Sequence, residues 1–160
     1  MTKEKFPVTS AIRFLRENQI DFIERPYKYE EHGGTEIAAE AFGVGEHLVI
    51  KTLVMEDDQK TPFIILMHGD RQVSTKALAR TIGVKSVNPC TPEIALRHTG
   101  YMVGGISPFG TKKALRVYIE ESILSLPRIF INAGRRGLLC EMSSADLIKI
   151  LKPIPVKVAR

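Results

Sequence analysis

The chain predicts a compact mixed α/β fold: a mixed, largely antiparallel β-sheet or barrel with helices around it. Three observations carry that reading. Apolar runs of strand length come in hairpin-like pairs in the middle and at the end, amphipathic runs of helical length fall between them, and strict strand-helix alternation does not cover the sequence. The last point disfavours a doubly wound nucleotide fold. With 160 residues, 44% of them hydrophobic and 26% charged, there is apolar material for one substantial core. Residues 1–160 therefore read as one domain, without a linker, a repeat or a break in composition.

The elements follow in order. VTSAIRFLRENQI opens with hydroxyl residues suited to capping and sets Ala11, Phe14, Leu15 and Ile20 near one helical face. DFIERPYKY supports a strand through Phe22 and Ile23, and Pro26 confines that strand to an edge or an early stop. EEHGG is a loop. Thr35 is the expected cap of the helix TEIAAEAFGV, with Gly43 as its exit. HLVIKTLVM and TPFIILMH form a strand pair across a polar connection whose register the letters leave open. Ser74 caps TKALARTIG, and Thr91 followed by Pro92 caps PEIALRHTG; both helices stop at glycine. LRVYIE, RIFIN and LLCEM are strands, SSADLIKILKPI is a helix running into Pro153 and Pro155, and KPIPVKVAR is an extended or frayed tail.

Composition narrows the function. The 23 Lys plus Arg against 18 Asp plus Glu give +5, which suits an anionic partner such as nucleic acid and equally suits plain solubility. Cys90 and Cys140 form no CxxC, so neither a redox pair nor a structural zinc site is signalled. An accessible cysteine and a small buried hydrophobe are simpler readings than a disulfide. MTKEKFPVTS has no apolar stretch of the kind that directs export, and no run is long enough to span a membrane. The cytoplasm is the expected location.

Three features ask for more than a core. Lys51 interrupts the apolar run HLVIKTLVM: in the interior it needs compensation, in a cleft it attracts phosphate or carboxylate, and on a solvent face it is ordinary. Strand alternation points Thr52 the other way. GGISPFG, Gly104 to Gly110, either presents backbone amides to a ligand or makes a tight turn; it is neither GxGxxG nor a P-loop. NAGRRG, Asn132 to Gly137, either offers Arg135 and Arg136 to phosphates or is a solvated turn. His32, His47, His68 and His98 are scattered without HExxH, and Ser107 lacks a GxSxG elbow. Asp57 and Asp58 read as turn residues.

Together, HLVIKTLVM, TGYMVGGISPFGTKKA and INAGRRG resemble the YbaK and prolyl-tRNA-synthetase-associated editing-domain family, over roughly residues 8 to 151. The resemblance implies a compact mixed α/β domain whose groove accepts the 3′ aminoacyl-adenosine end of tRNA and hydrolyses an incorrect amino-acid ester. It implies Lys51, Gly104 and Gly105 as catalytic residues. Tyr27, Thr52, Ile106, Ser107, Pro108, Gly134, Arg135 and Arg136 are implied as substrate-binding ones. Leu139 departs from the family's cysteine-editing branch, which resembles this chain but carries an acidic residue there. No cofactor and no metal are implied. The implied partners are mischarged tRNA, with tRNA(Pro) foremost, and a transient complex with prolyl-tRNA synthetase; no membrane is involved.

Within that resemblance the expected reaction is deacylation in trans, most of all of Cys-tRNA(Pro). Alanine or another small residue on the tRNA, or a noncatalytic tRNA- or nucleotide-binding module, are the alternatives. No protein nucleophile is needed: Lys51 orients the terminus through its phosphate, amides near Gly104 and Gly105 meet developing negative charge, and water, a ribose hydroxyl or a substrate thiol attacks.

Overall fold

The structure, a computed structural model, describes residues 8–160. Residues 1–7, most of the segment read for an export signal, lie outside the described residues. Helix α1 (Ser10–Glu17) begins where Thr9 Oγ1 accepts from Ile12 N at 3.0 Å, and it buries Ala11, Ile12 and Leu15. Strand β1 (Phe22–Pro26) lies at one end of the sheet and stops at its proline.

Helix α2 (Gly34–Phe42) starts one residue before the expected cap, and Thr35 does not cap it. Already inside the first turn, Thr35 turns its hydroxyl away and donates to Glu46 Oε2 at 2.6 Å. The exit at Gly43 is left-handed as expected. β2 (Val49–Asp57) and β3 (Pro62–His68) form the anticipated hairpin, its register running from Ile50 opposite His68 to Glu56 opposite Pro62.

The next two helices follow their capping signals. In α3 (Thr75–Ile82) Ser74 Oγ accepts from Ala77 N, and in α4 (Pro92–Thr99) Thr91 Oγ1 accepts from Ile94 N; short β4 (Val87–Pro89) lies between them. β5 (Arg116–Glu120), β6 (Arg128–Arg135), β7 (Leu138–Ser143) and α5 (Ser144–Leu151) complete the expected elements. The tail does not fray. It adds β8 (Ile154–Val156) alongside β5, and the buried Glu120 carboxylate accepts from Val158 N at 2.6 Å and Ala159 N at 3.0 Å.

The sheet is open, in the order β1-β7-β6-β2-β3-β5-β8, with β4 also on β2. Both hairpins are antiparallel, as are β1 with β7 and β2 with β4; β6 with β2, β3 with β5 and β5 with β8 are parallel. The sheet is therefore mixed, its parallel ladders arising where chain segments separated by helices return to neighbouring places. On one face the main core joins α1, Tyr101 and Phe109 to Ile50, Val54, Ile64, Leu66, Ile129 and Ile131. The other face carries two separate clusters: Leu78 and Ala79 of α3 over Met55, Ile65 and Met67, and Ala38 and Ala39 of α2 over Val49, Phe130 and Leu139.

That division positions a cavity. Lys51 occupies the strand position between the α2 cluster and the α3 cluster, and Leu53 beyond it is only partly buried against the α3 cluster, which leaves this part of β2 open.

Candidate active site

A cavity of about 680 Å³ opens at this gap, lined by β2 from Val49 to Met55, Tyr27 and Tyr29 after β1, the start of α2, Val73, Cys90, Ala95, Val103, Gly104 and Ile106 of the glycine turn, Asn132, Arg136 and Leu139. Its shape follows from the sheet. β6 pairs with β2 at Val49 and Ile50 and β4 pairs from Met55 onward, so on that edge neither strand pairs with Lys51, Thr52 or Leu53. Lys51 and Thr52 project to opposite faces, yet both line the cavity because it passes around this open edge.

Lys51 is half-buried, and its ammonium donates to the carbonyl of Arg71. Burial pulls its pKa below the ordinary lysine value, opposed by the negative charges of Glu46 and Asp70. Thr52 Oγ1 is buried without a protein partner among the described residues. A buried hydroxyl with no partner is costly, and this one stands at the cavity wall.

The glycine turn and the arginine loop are clasped together. Asn132 Nδ2 donates to Gly104 O at 3.1 Å and to Arg135 O at 3.3 Å, while its Oδ1 accepts from Gly134 N at 2.7 Å and Arg135 N at 3.2 Å. Arg136 Nε donates to Val103 O at 2.8 Å, and its guanidinium lies 5.3 Å from the centre of the Tyr29 ring.

Of the residues the sequence singled out, Tyr27, Lys51, Thr52, Gly104, Ile106 and Arg136 line the cavity. Gly105, Ser107, Pro108, Gly134 and Arg135 do not line it, for local reasons. Gly105 N donates to Met102 O at 2.8 Å, closing the turn, and its Cα packs against the Arg135–Arg136 backbone. Ser107 is fully buried and its hydroxyl accepts from Phe109 N at 3.2 Å; Pro108 is buried beside it. Gly134, at φ +95°, lies under Tyr101, and Arg135 is tied through its backbone to Asn132. Sequence reasoning passed over Tyr29 and Asn132. Tyr29 had a signal, being two residues beyond Tyr27; the Asn132 side chain gained its role only through a contact 28 residues away.

The sequence profile of the aminoacyl-tRNA editing domain matches residues 30–150. The chain belongs to this family. A relative from Enterococcus faecalis, named "Putative Cys-tRNA(Pro)/Cys-tRNA(Cys) deacylase EbsC", is 28% identical over 143 residues, covering 89% of this chain and 87% of its own. Two solved structures share the editing-domain fold. "Hypothetical protein APE2540" superposes with a TM-score of 0.86 at 20% identity, covering 94% of this chain and 99% of its own. "A putative trans-editing enzyme for prolyl tRNA synthetase" gives 0.81 at 22% identity, covering 94% and 97%. Membership of the YbaK-type editing family makes the chain a hydrolase, an aminoacyl-tRNA deacylase with tRNA as its substrate.

Beside its cavity the editing domain holds a polar cluster that the scattered histidines concealed. His68 is fully buried and stacks on His47 with ring centres 3.6 Å apart. Its Nδ1 lies 2.8 Å from the His47 carbonyl, which can only accept, so Nδ1 carries the proton and Nε2 accepts from Ser122 Oγ at 2.6 Å. His47 Nδ1 meets Asp70 Oδ1 at 2.9 Å. These groups are close enough to share an ion, but both nitrogens of His68 are already engaged by protein partners. The cluster instead braces the turn that leads to Arg71, the acceptor of Lys51.

No helix of the described residues is long and apolar enough to cross a membrane.

Proposed function

We propose that this editing domain acts in trans, in the cytoplasm, on mischarged tRNA(Pro), with Cys-tRNA(Pro) as its leading substrate and prolyl-tRNA synthetase as a transient partner. The observation that carries the reading is a pairing of groups on one cavity. Lys51 supplies an ammonium, and Gly104 lines the same cavity with an N–H that donates to no protein acceptor among the described residues. The names of EbsC and of the trans-editing structure support the choice of substrate and partner.

Lys51 holds the phosphate of the terminal nucleotide and so fixes the ester in the cavity, an entropic contribution to the rate. The Gly104 amide meets the negative charge that develops on the ester carbonyl oxygen. Tyr27, Thr52, Ile106 and Arg136 contact the substrate. Gly105, Ser107, Pro108, Gly134 and Arg135 support the loops that carry these contacts. The protein supplies no nucleophile: Ser107 is buried and engaged, and burial pushes the Cys90 thiol at the cavity wall up to about 11, leaving it protonated at neutral pH. Water, the ribose hydroxyl or the substrate thiol therefore attacks.

Leu139 favours a second reading. It is buried among Ala38, Val49 and Phe130, so no carboxylate meets the substrate ammonium at that wall, which suits alanine on the same tRNA as well as cysteine. The test is a panel of correctly and incorrectly acylated tRNAs followed for release of free amino acid, with wild type beside Lys51→Ala. Release of cysteine from tRNA(Pro) above all others is expected. Binding without ester loss across the panel would replace the deacylase by a noncatalytic binding module.

A further inference from the structure

We propose that α3 and the turn into β4 form a second nucleic-acid contact, a basic groove that binds the phosphodiester backbone of the acceptor strand as it leads to the cavity. The proposal rests on tRNA being the substrate. It starts from how charge is distributed. Residues 71–92 contain Arg71, Lys76, Arg80 and Lys85 and no Asp or Glu, a local balance of +4 in a chain whose balance is +5. Residues 94–119 and 147–160 carry the same acid-free balance of +4, so what sets this segment apart is where the fold places its cations.

The fold gathers three of these cations around one depression. A shallow hollow of about 420 Å³ is lined by Lys76, Arg80 and Lys85 together with the polar groups of Thr75, Ser86 and Asn88. Lys76, Arg80 and Lys85 are exposed, and none of them makes an ion pair among the described residues. The carboxylate nearest in bonding, Asp58, accepts from the backbone N of Lys85 at 3.1 Å and leaves the ammonium free. Lys76 and Arg80 stand four residues apart on α3, where like charges repel. A solvated helix face ordinarily relieves that repulsion with an interspersed acid, and this one has none.

Position identifies the ligand. Thr75 lines both the hollow and the cavity, so the two adjoin at the start of α3. A polymer whose 3′ end occupies the cavity has its next phosphates at hand along a surface offering three cations and neutral hydrogen-bonding groups. That pattern recognises phosphates without reading sequence. An acidic surface of a partner protein would meet the same charges, but it would have no reason to adjoin the cavity.

The test uses the full chain carrying K76Q, R80Q and K85Q together, with thermal unfolding as a check on folding. Binding of unacylated tRNA is measured across a range of salt, and hydrolysis is measured on mischarged tRNA and on an aminoacyl ester of adenosine alone. The variant should weaken tRNA binding and reduce the slope of log affinity against log salt by roughly 2 to 3, from three lost phosphate contacts. Its kcat/KM should fall on tRNA and stay at the wild-type value on the adenosine ester. An unchanged salt slope overturns the proposal, as does an equal loss on both substrates. Unchanged tRNA binding with lost binding to prolyl-tRNA synthetase overturns it in favour of a protein-facing surface. If wild type hydrolyses no ester at all, the deacylase reading fails while the salt slope still decides the groove.

Discussion

The ammonium of Lys51 donates to the main-chain carbonyl of Arg71, tying the centre of β2 to the turn that precedes α3. That contact fixes where a positive charge stands in an otherwise apolar stretch of wall, and the carbonyl takes only one of its three protons. Two remain for a phosphate. Lys51→Ala should lower kcat/KM for deacylation by about 10²- to 10³-fold, the scale of losing a positioning charge, with little change in unfolding midpoint. Because burial lowers the Lys51 pKa, the enzymatic rate, corrected for spontaneous ester loss, should fall on an alkaline limb centred below the ordinary lysine value. A rate that persists through that range in wild type would show that the charge is not needed.

Asn132 serves four backbone groups at once, so its removal has a specific signature. In Asn132→Ala the carbonyl of Gly104 and the amides of Gly134 and Arg135 lose their partner. About 1–3 kcal/mol of stability should go with them, together with a drop of at least about tenfold in kcat/KM as the glycine turn loosens. Asn132→Asp keeps the acceptor oxygen and loses the donor to Gly104. It should retain more of the stability than alanine while losing comparable activity, which denaturant titration beside the deacylation assay would resolve.

What could be read from the letters was what local physics decides. Ser74, Thr91 with Pro92, Gly43, Gly83 and Gly100 end or begin helices through contacts within four residues, and each does so where expected. Thr35 misled because its competitor, Glu46, is brought near by the fold. The β2–β3 hairpin was legible, whereas the parallel pairing of β2 with β6 joins residues some eighty positions apart and leaves no local pattern. The cavity depends on that non-local step, since it opens where β6 and β4 leave β2 unpaired. Lys51 stood out as a charge in an apolar run. In GGISPFG the composition announced a tight loop but not which groups turn inward: the Ser107 hydroxyl and the Gly105 amide close the turn, while Gly104 and Ile106 line the cavity.

Gly134 and Gly83 separate two costs of replacing glycine. Both have positive φ, +95° and +79°, but a Cβ at Gly134 would lie 2.8 Å from the Tyr101 ring, whereas at Gly83 it meets nothing within 4 Å. Gly83→Ala should therefore cost about 1–2 kcal/mol, the backbone term alone. Gly134→Ala should cost about 1–3 kcal/mol more, because Tyr101 is fixed by its hydroxyl bond to Phe109 O at 2.5 Å and cannot swing away. Urea unfolding of the two variants measures the difference; equal midpoints would mean that the loop over Tyr101 shifts freely.

His68 should make stability depend on pH in a direction the structure fixes. Burial lowers its folded pKa; the bond to the His47 carbonyl raises it, the neighbouring His47 lowers it, and Asp70 and Glu120 raise it. The net effect is downward from an unfolded value of about 6.5. The unfolded chain then takes up the proton more readily than the folded one. Stability from this group is complete above the unfolded pKa and is lost as pH falls from about 6.5 toward the lower folded value. His98, also lowered by burial, adds a share of the same sign. His68→Gln should be less stable than wild type at pH 7.5 by about 1–3 kcal/mol, for the loss of bonds to His47 O and Ser122. It should also lose less stability than wild type between pH 7.5 and 5.5. Parallel stability curves for the two proteins would assign the acid sensitivity to His98 or to other groups instead.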